Sequence, residues 1–365
     1  MIADLETPVP VVDLDRLAGN LDRAAQYATS HGLALRPHIK THKSPRIASE
    51  QLKRGAVGVT CATPFEAEVM SEVCDDILVA YPPVGPRAAR LAALPYATKL
   101  TVALDSLRSI DAIAAAAREA DRPVSVYVEL DLGMHRVGTP RIDDAIALAR
   151  AVRERAPLEF DGIAFYPGHV REAVGHQTMK LEELSGALSA AIDAFDRAGL
   201  RPNVVSGGST PTLWNTHEIG GVTEFRPGTY VYNDRTTAAI GACSWDDCAL
   251  TVLSTVVSTA VPNQAVVDAG TKALGREPMR ADNADGFGCL LGHPDVTVKS
   301  MSEEHGILDL SSTSWRPSVG DQVRIIPNHV CIVVHLNDVI VGVRGDVVET
   351  TWPVAARGRG YAVKP

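Results

Sequence analysis

The sequence predicts an α/β plus β fold: a (β/α)8, TIM-like barrel followed by a smaller antiparallel β domain. The chain has 365 residues, 45% of them apolar, which is enough for two compact domains. Between about residues 15 and 235, short apolar or β-branched runs alternate with helical patterns, as in α/β proteins. After about Ala238 the runs alternate apolar and polar residues, as in antiparallel sheets.

The first region contains eight candidate strands separated by helical patterns such as those at 15–31, 64–72 and 178–198. Eight strand–helix units in about 220 residues fit a closed barrel better than an open sheet. A dinucleotide-binding sheet would carry a glycine fingerprint after its first strand, and residues 40–45 contain no glycine. The expected strands are 35–40, 57–62, 76–80, 100–103, 124–130, 162–166, 204–206 and 226–232.

The second region reads as all-β, and the opening strand 7–13 is expected to pair with it. We therefore expect a barrel domain at 15–237 and a β domain made of 1–14 and 238–365. The strands expected after the barrel are 250–261, 264–268, 296–300, 306–310, 322–326, 330–336 and 339–343.

Charge and composition indicate which kinds of molecule the protein binds. The formal net charge is −9, and no run of Lys or Arg exceeds two residues, which argues against nucleic-acid and anionic-membrane binding. The N-terminal sequence lacks the basic and apolar regions of a signal peptide. Six scattered cysteines are typical of free thiols. We expect a cytoplasmic protein with a small-molecule substrate.

Lys40 lies at the carboxyl end of the first expected strand, which is the catalytic face of such a barrel. A lysine there can become nucleophilic and form a Schiff base with an aldehyde. A solvated cationic loop explains the same residues.

Two glycine-containing turns follow the seventh and eighth strands, where barrels commonly bind phosphate. They contain Gly207, Gly208, Ser209 and Thr210, and then Gly228 and Tyr230. Ordinary turns account for such glycines as well.

Further polar residues follow the fifth and sixth strands, namely Arg136, Tyr166 and His169. Capping and surface roles are the alternative for each. His329 and Cys331 are two residues apart in an expected strand, so both would lie on one face and could hold a divalent metal. A buried cysteine beside a core histidine is the alternative.

Five motifs together resemble the D-threonine aldolase/D-serine dehydratase family of fold-type III, alanine-racemase-like pyridoxal-phosphate enzymes. The resemblance covers essentially the whole chain, and the motifs occur in family order. They are residues 36–43, 133–138, 206–212, 302–306 and 327–331.

This resemblance implies a role for each candidate residue. Lys40 would carry pyridoxal 5'-phosphate, with Arg136 near its phenolate oxygen and Tyr166 near its ring. His329 and Cys331 would bind a divalent metal, Zn²⁺ or else Mn²⁺ or Mg²⁺, and His169 is our candidate base. The family also implies a homodimer. The phosphate would lie against Gly207, Gly208, Ser209, Thr210, Gly228 and Tyr230.

The resemblance leaves two reactions open. Aldolases of the family often have Asp where Cys331 stands, and dehydratases often have Cys. Residues 165–171 and 352–358 are more similar to D-threonine aldolases. We therefore expect cleavage of a D-β-hydroxy-α-amino acid to glycine and an aldehyde, with dehydration of D-serine or 3-hydroxy-D-aspartate as the alternative. An amino-acid racemase or a non-catalytic pyridoxal-phosphate-binding protein fits less well.

Overall fold

A computed structural model describes residues 1–279 and 285–360. The strands are β1 (Val9–Asp13), β2 (Ala34–Leu35), β3 (Val59–Cys61), β4 (Asp76–Val79), β5 (Lys99–Leu104), β6 (Val124–Leu130), β7 (Leu158–Phe165), β8 (Val204–Gly207), β9 (Glu224–Phe225), β10 (Leu250–Ser258), β11 (Gln264–Val267), β12 (Gly288–Leu290), β13 (His293–Met301), β14 (Gly306–Asp309), β15 (Gln322–Pro327), β16 (Val339–Arg344) and β17 (Val347–Pro353).

The helices are α1 (Leu14–Ser30), α2 (Pro45–Lys53), α3 (Pro64–Met70), α4 (Pro86–Ala92), α5 (Leu107–Glu119), α6 (Ile142–Arg153), α7 (Thr178–Arg197), α8 (Arg235–Ala239), α9 (Thr271–Leu274) and α10 (Val330–Leu336). Two compact units emerge from these elements. We call residues 23–40, 44–228 and 359–360 the barrel unit, and residues 1–22, 41–43, 229–279 and 285–358 the β unit. The domain limits expected from the sequence remain a prediction.

The barrel unit is an eight-stranded parallel sheet in the order β2-β9-β8-β7-β6-β5-β4-β3. A parallel bridge between His38, just after β2, and Thr60 in β3 joins the two ends of this order. Inside, Leu78, Ala103, Tyr127 and Ala164 form a buried apolar cluster. The barrel prediction is confirmed.

The expected barrel strand 35–40 ends earlier than predicted, and the expected strand 226–232 is wrong, because the observed strand lies just before it. Strand β2 stops at Leu35, and Ile39–Thr41 is a 3-10 turn that carries Lys40. Strand β9 is Glu224–Phe225, and a second 3-10 turn covers Thr229–Val231. Pro37 and Pro227 have no N–H to donate to a neighbouring strand, which interrupts the regular ladder, although the His38 N–H still donates to the Pro227 carbonyl at 2.9 Å.

The β unit contains a closed antiparallel barrel, in which β10, β11, β14, β13, β12 and β15 pair in a ring. Strand β1 pairs antiparallel with β10 and parallel with β16, which confirms the expected pairing of the opening strand. Val11, Leu253, Val341 and Val343 form the buried core at that junction. Among the helices of the described residues, none has the length and hydrophobicity needed to cross a bilayer.

Candidate cofactor and metal sites

Lys40, Tyr166 and Arg136 lie together in the barrel unit. The Nζ atom of Lys40 is 5.7 Å from the centroid of the Tyr166 ring. The guanidinium carbon of Arg136 is 4.8 Å from the same centroid. Both distances are within the range of cation–π attraction. The tyrosine ring thus has two cationic groups around it at the end of β7.

The loop that carries Arg136 is folded around Asp131. One oxygen of Asp131 accepts hydrogen bonds from the N–H groups of Gly133, at 3.0 Å, and His135, at 2.9 Å. The other oxygen pairs with the His135 ring at 3.0 Å. Partial burial opposes ionisation, but these donors hold the pKa of Asp131 below its usual value. Asp131 therefore acts as a negatively charged anchor for this loop.

His169 follows β7 and is half-buried. A β-carbon placed on Gly133 would lie 2.9 Å from its Nε2 atom, so the glycine leaves the space there open. Its Nδ1 atom is buried and has no hydrogen-bond partner in the described residues. Burial, aided by the charge of Lys180, lowers the pKa of His169. The imidazole is therefore neutral near pH 7 and can accept a proton.

The predicted phosphate residues form a glycine-lined turn at the end of β8. A β-carbon on Gly207 would lie 2.2 Å from the Phe165 ring, and Gly208 has a φ of +83°. Ser209 and Thr210 are 3% and 5% exposed. The N–H of Gly228 donates to the Thr210 hydroxyl at 3.2 Å. Glycine backbone and clustered hydroxyls suit a phosphate group.

Tyr230 is the one predicted phosphate residue that belongs to the β unit. It lies in the 3-10 turn Thr229–Val231 and is 4% exposed. Its predicted role remains a prediction.

Sequence analysis missed a chain of buried charged residues in the barrel unit. Arg226 donates to the Ser206 hydroxyl at 2.6 Å and to the Phe165 carbonyl at 2.9 Å. The Ser206 hydroxyl in turn donates to Glu224, at 2.6 Å, and Glu224 also accepts from Arg36 at 2.6 Å. Their alternation with apolar residues in short strands is the only sequence signal for them.

Glu129, near the end of β6, is the least satisfied of the buried charged groups. It is 5% exposed, and its Oε2 atom has no hydrogen-bond partner in the part of the chain that the structure describes. Burial raises the pKa of Glu129, against the attraction of Arg226 and Arg136. A buried polar atom without a partner is uncommon in native proteins and indicates a missing ligand or water.

The second site lies in the β unit around His329 and Cys331. The expected strand 330–336 is wrong: these residues form α10, and His329 is its N-cap residue. The two side chains nevertheless meet and are hydrogen-bonded. Thr41, which follows Lys40 in the sequence, contacts the Cys331 sulfur at 3.2 Å through its hydroxyl.

Asp234 holds the His329 ring and was not found from the sequence. It is fully buried, and its Oδ2 atom lies 3.1 Å from His329 Nδ1 and 3.2 Å from the Val330 nitrogen. The negative charge of Cys331, opposed by burial and aided by Asp234, raises the pKa of His329 to about 11. Histidines that bind metal are commonly oriented in this way by a carboxylate on the other ring nitrogen.

The donor set suits a divalent metal with open coordination positions. An imidazole nitrogen and a thiolate sulfur are ligands that zinc prefers. Within 1–279 and 285–360, no group of three or more His, Cys, Asp or Glu side chains is arranged to hold a metal ion. His329 and Cys331 as metal ligands therefore remain a prediction.

Comparisons with known proteins place the chain among characterised enzymes. Residues 12–236 match the alanine racemase N-terminal domain, and residues 249–343 match the putative serine dehydratase domain. A 3-hydroxy-D-aspartate aldolase of Paracoccus denitrificans is 32% identical, over 98% of this chain and 94% of that protein. A D-threo-3-hydroxyaspartate dehydratase of Delftia sp. is 36% identical, over 90% of this chain and 91% of that protein.

Solved structures agree with this placement. The D-threonine aldolase of Filomicrobium marinum has a TM-score of 0.90 and 33% identity, over 98% of both chains. The Delftia dehydratase has a TM-score of 0.86 and 31% identity, over 99% of both chains, and a variant of it is described as a metal-free form. The chain therefore belongs to the alanine-racemase-like, pyridoxal-phosphate-dependent lyases that include D-threonine aldolases, 3-hydroxy-D-aspartate aldolases and D-serine dehydratases.

Proposed function

We propose that the protein cleaves D-β-hydroxy-α-amino acids to glycine and an aldehyde, as a D-threonine aldolase does, with pyridoxal 5'-phosphate and a divalent metal. The observation that carries this choice is His169. Cleavage of the Cα–Cβ bond requires a base that removes the proton of the β-hydroxyl, whereas dehydration expels that hydroxyl. The neutral imidazole of His169, whose buried Nδ1 has no hydrogen-bond partner in the described residues, supplies such a base.

The proposed cofactor residues lie in the barrel unit. Lys40 would bind the cofactor's aldehyde carbon, and Tyr166 and Arg136 would contact its ring and phenolate oxygen. When bound, pyridoxal phosphate would hold the electron pair released at Cα. Its phosphate would be held by Gly207, Gly208, Ser209, Thr210 and Gly228.

His329 and Cys331 are the proposed metal ligands, and Asp234 fixes the orientation of the imidazole. A divalent metal bound there would lower the pKa of a hydroxyl group among its ligands. His169 is the proposed base: it would take the proton of the β-hydroxyl at Nε2, so that the carbonyl of the aldehyde product forms as the Cα–Cβ bond breaks. We propose Zn²⁺ as the metal because one ligand is a thiolate.

Dehydration of D-serine or 3-hydroxy-D-aspartate is the second candidate, and Cys331 is the observation that favours it. The 36% identity to the Delftia dehydratase is consistent with this reaction. In that case the metal would make the hydroxyl a leaving group, Lys40 would remove the α-proton, and His169 would have no step.

Product analysis separates the two reactions. The protein, loaded with cofactor and zinc, is incubated with D-threonine, D-serine and 3-hydroxy-D-aspartate in turn. We expect glycine with acetaldehyde, formaldehyde and glyoxylate, respectively. Ammonia with 2-oxobutanoate, pyruvate or oxaloacetate would refute the aldolase proposal.

His169→Ala tests the base. General acid–base groups contribute about 10²- to 10⁴-fold to rates, so glycine formation should fall by that factor. His176→Ala is the matched control, since this exposed histidine lies in the same connection, and it should retain the parental rate. Unchanged activity in His169→Ala would remove the observation on which the choice of aldolase rests.

A further inference from the structure

Three of the six cysteines lie together in the β unit. Cys248 and Cys289 are each 1% exposed and pack with Ile326. Cys243 is half-buried and packs against this group. None of the cysteines forms a disulfide in the structure. The β unit thus holds several reduced thiols in one place.

Cys243 and Cys248 are closely joined by the chain between them. Four residues separate them, and Trp245–Asp247 forms a 3-10 turn in which the Ser244 N–H donates to Asp247 at 2.8 Å. The turn leaves Cys243 packed against the buried cluster that contains Cys248. A short, folded connection keeps the two sulfurs close, which is the condition for closing a disulfide with little backbone movement.

The same pair is connected to the anchor of His329. Cys243 donates its thiol hydrogen to the Thr237 hydroxyl, at 3.5 Å. The Thr237 hydroxyl and N–H lie 3.1 and 2.9 Å from Asp234 Oδ1, and cap the start of α8. The other oxygen of Asp234 holds His329. A change at Cys243 therefore reaches the proposed metal site through two intervening residues.

We propose that Cys243 and Cys248 form a redox-active dithiol, which peroxide closes to a disulfide, and that this closure weakens metal binding at His329 through Thr237 and Asp234. The first part of this proposal, disulfide formation, depends only on the positions of the thiols. The second part, weaker metal binding, also depends on the metal site of the proposed function.

Cys243 is the attacking thiol because it is the more exposed of the two. Its sulfur attacks one oxygen of hydrogen peroxide, the O–O bond breaks, and a sulfenic acid and one water form. The Cys248 sulfur then attacks the sulfenic sulfur, the S–O bond breaks, and the second water leaves with the remaining thiol proton. Two electrons pass from the dithiol to one peroxide.

Closure changes what Thr237 contacts. A disulfide has no S–H, so the hydrogen bond from Cys243 to the Thr237 hydroxyl is lost, and the sulfur moves to about 2 Å from its partner. Asp234 then loses part of the support that fixes its carboxylate. Changes in such outer contacts cost about 10- to 100-fold in metal affinity, and we expect about tenfold here because Asp234 itself remains.

Peptide mapping tests the disulfide. Reduced protein is treated with one equivalent of hydrogen peroxide, alkylated and digested with trypsin. Residues 236–272 form one peptide that contains both cysteines, and residues 281–299 form another that contains Cys289. We expect peptide 236–272 to lack two hydrogen atoms and to escape alkylation. A cross-link between the two peptides, or sulfinic acid without a disulfide, would overturn the proposal.

Zinc binding tests the coupling, with equilibrium dialysis of reduced and oxidised protein. Peroxide can also damage Cys331, so Cys243→Ser is the matched variant: its hydroxyl can still donate to Thr237, but no disulfide can form. We expect about tenfold weaker binding after oxidation of the parent and no change in Cys243→Ser.

Equal zinc loss in Cys243→Ser, or no zinc binding by the reduced parent, would overturn the coupling. The second of these results would also refute the proposed metal site, while the peptide map would still decide the disulfide. Cys248→Ala, which also removes the pair, should behave as Cys243→Ser does. Cys61→Ala, which changes a buried thiol of the barrel unit, should behave as the parent does.

Discussion

Replacing Asp234 should damage both folding and metal binding, because its buried carboxylate serves four groups. It lies 2.9 Å from the Thr237 nitrogen, 3.1 Å from the Thr237 hydroxyl, 3.1 Å from His329 Nδ1 and 3.2 Å from the Val330 nitrogen. In Asp234→Ala, loss of the N-cap of α8 costs about 1 kcal/mol. The buried N–H of Val330, left without an acceptor, costs a further 1 to 3 kcal/mol or so.

Asp234→Ala should therefore lower the free energy of unfolding by about 2 to 4 kcal/mol. Denaturant unfolding of the metal-free protein measures this change. Asp234→Asn keeps one carbonyl oxygen as an acceptor, so the free energy of unfolding should fall by about half as much. Zinc affinity should fall about 10- to 100-fold in Asp234→Ala, because the His329 ring is no longer oriented. Asp246→Ala is the surface control, since Asp246 is 93% exposed and pairs only loosely with Arg16, and it should change neither quantity.

Zinc dialysis provides the decisive comparison. If Asp234→Ala folds and binds zinc as tightly as the parent does, while His329→Ala does not, then Asp234 has no part in orienting the ligand. If both variants bind zinc as the parent does, the assignment of the metal site is wrong.

Three further changes test the barrel unit. Lys40→Ala should abolish the absorbance at about 420 nm and the borohydride-fixed adduct of the cofactor-loaded protein; retention of either would mean that another lysine carries the cofactor. Gly207→Ala should weaken pyridoxal-phosphate binding in a titration, because the new β-carbon would lie 2.2 Å from Phe165, whereas Gly186→Ala, with no atom within 4 Å in α7, should raise stability by about 0.5 to 1 kcal/mol. Glu129→Gln tests the raised pKa of Glu129. Above the ordinary pKa of 4.5 the unfolded parent loses a proton that the folded parent keeps, so parental stability falls as pH rises, and the Tm of the variant relative to the parent should increase with pH. A constant Tm difference would contradict that shift.

The barrel could be predicted because its repeating pattern is local. Each unit pairs a short apolar run with an amphipathic helix, and proline or glycine often lies between them. The proximity of Lys40, Arg136 and Tyr166 could be predicted because parallel strands all end at the same face. The predicted strand boundaries near Pro37 and Pro227 were wrong. Proline has no N–H, so the regular strand pairing is interrupted there although the apolar run in the sequence continues.

Other features depend on contacts that the sequence does not display. Residues 330–336 are a nearly continuous apolar run, which fits a buried strand or a buried helix equally well by periodicity. Asp234 precedes His329 by 95 positions, and nothing in its own segment indicates that it meets a histidine. Glu129 lies in β6 and Arg226 directly follows β9, where inward positions are normally apolar, so their burial became visible only in the closed barrel.

The claim that the protein is an aldolase is tested most directly by running the reaction in reverse. Cleavage by the proposed route is reversible, because the same base returns its proton to the aldehyde oxygen as the Cα–Cβ bond forms. Incubating the cofactor- and zinc-loaded protein with glycine and acetaldehyde should yield 2-amino-3-hydroxybutanoate of D configuration, measured by chiral chromatography. Absence of that amino acid, from protein that converts D-threonine to 2-oxobutanoate and ammonia, would contradict the account.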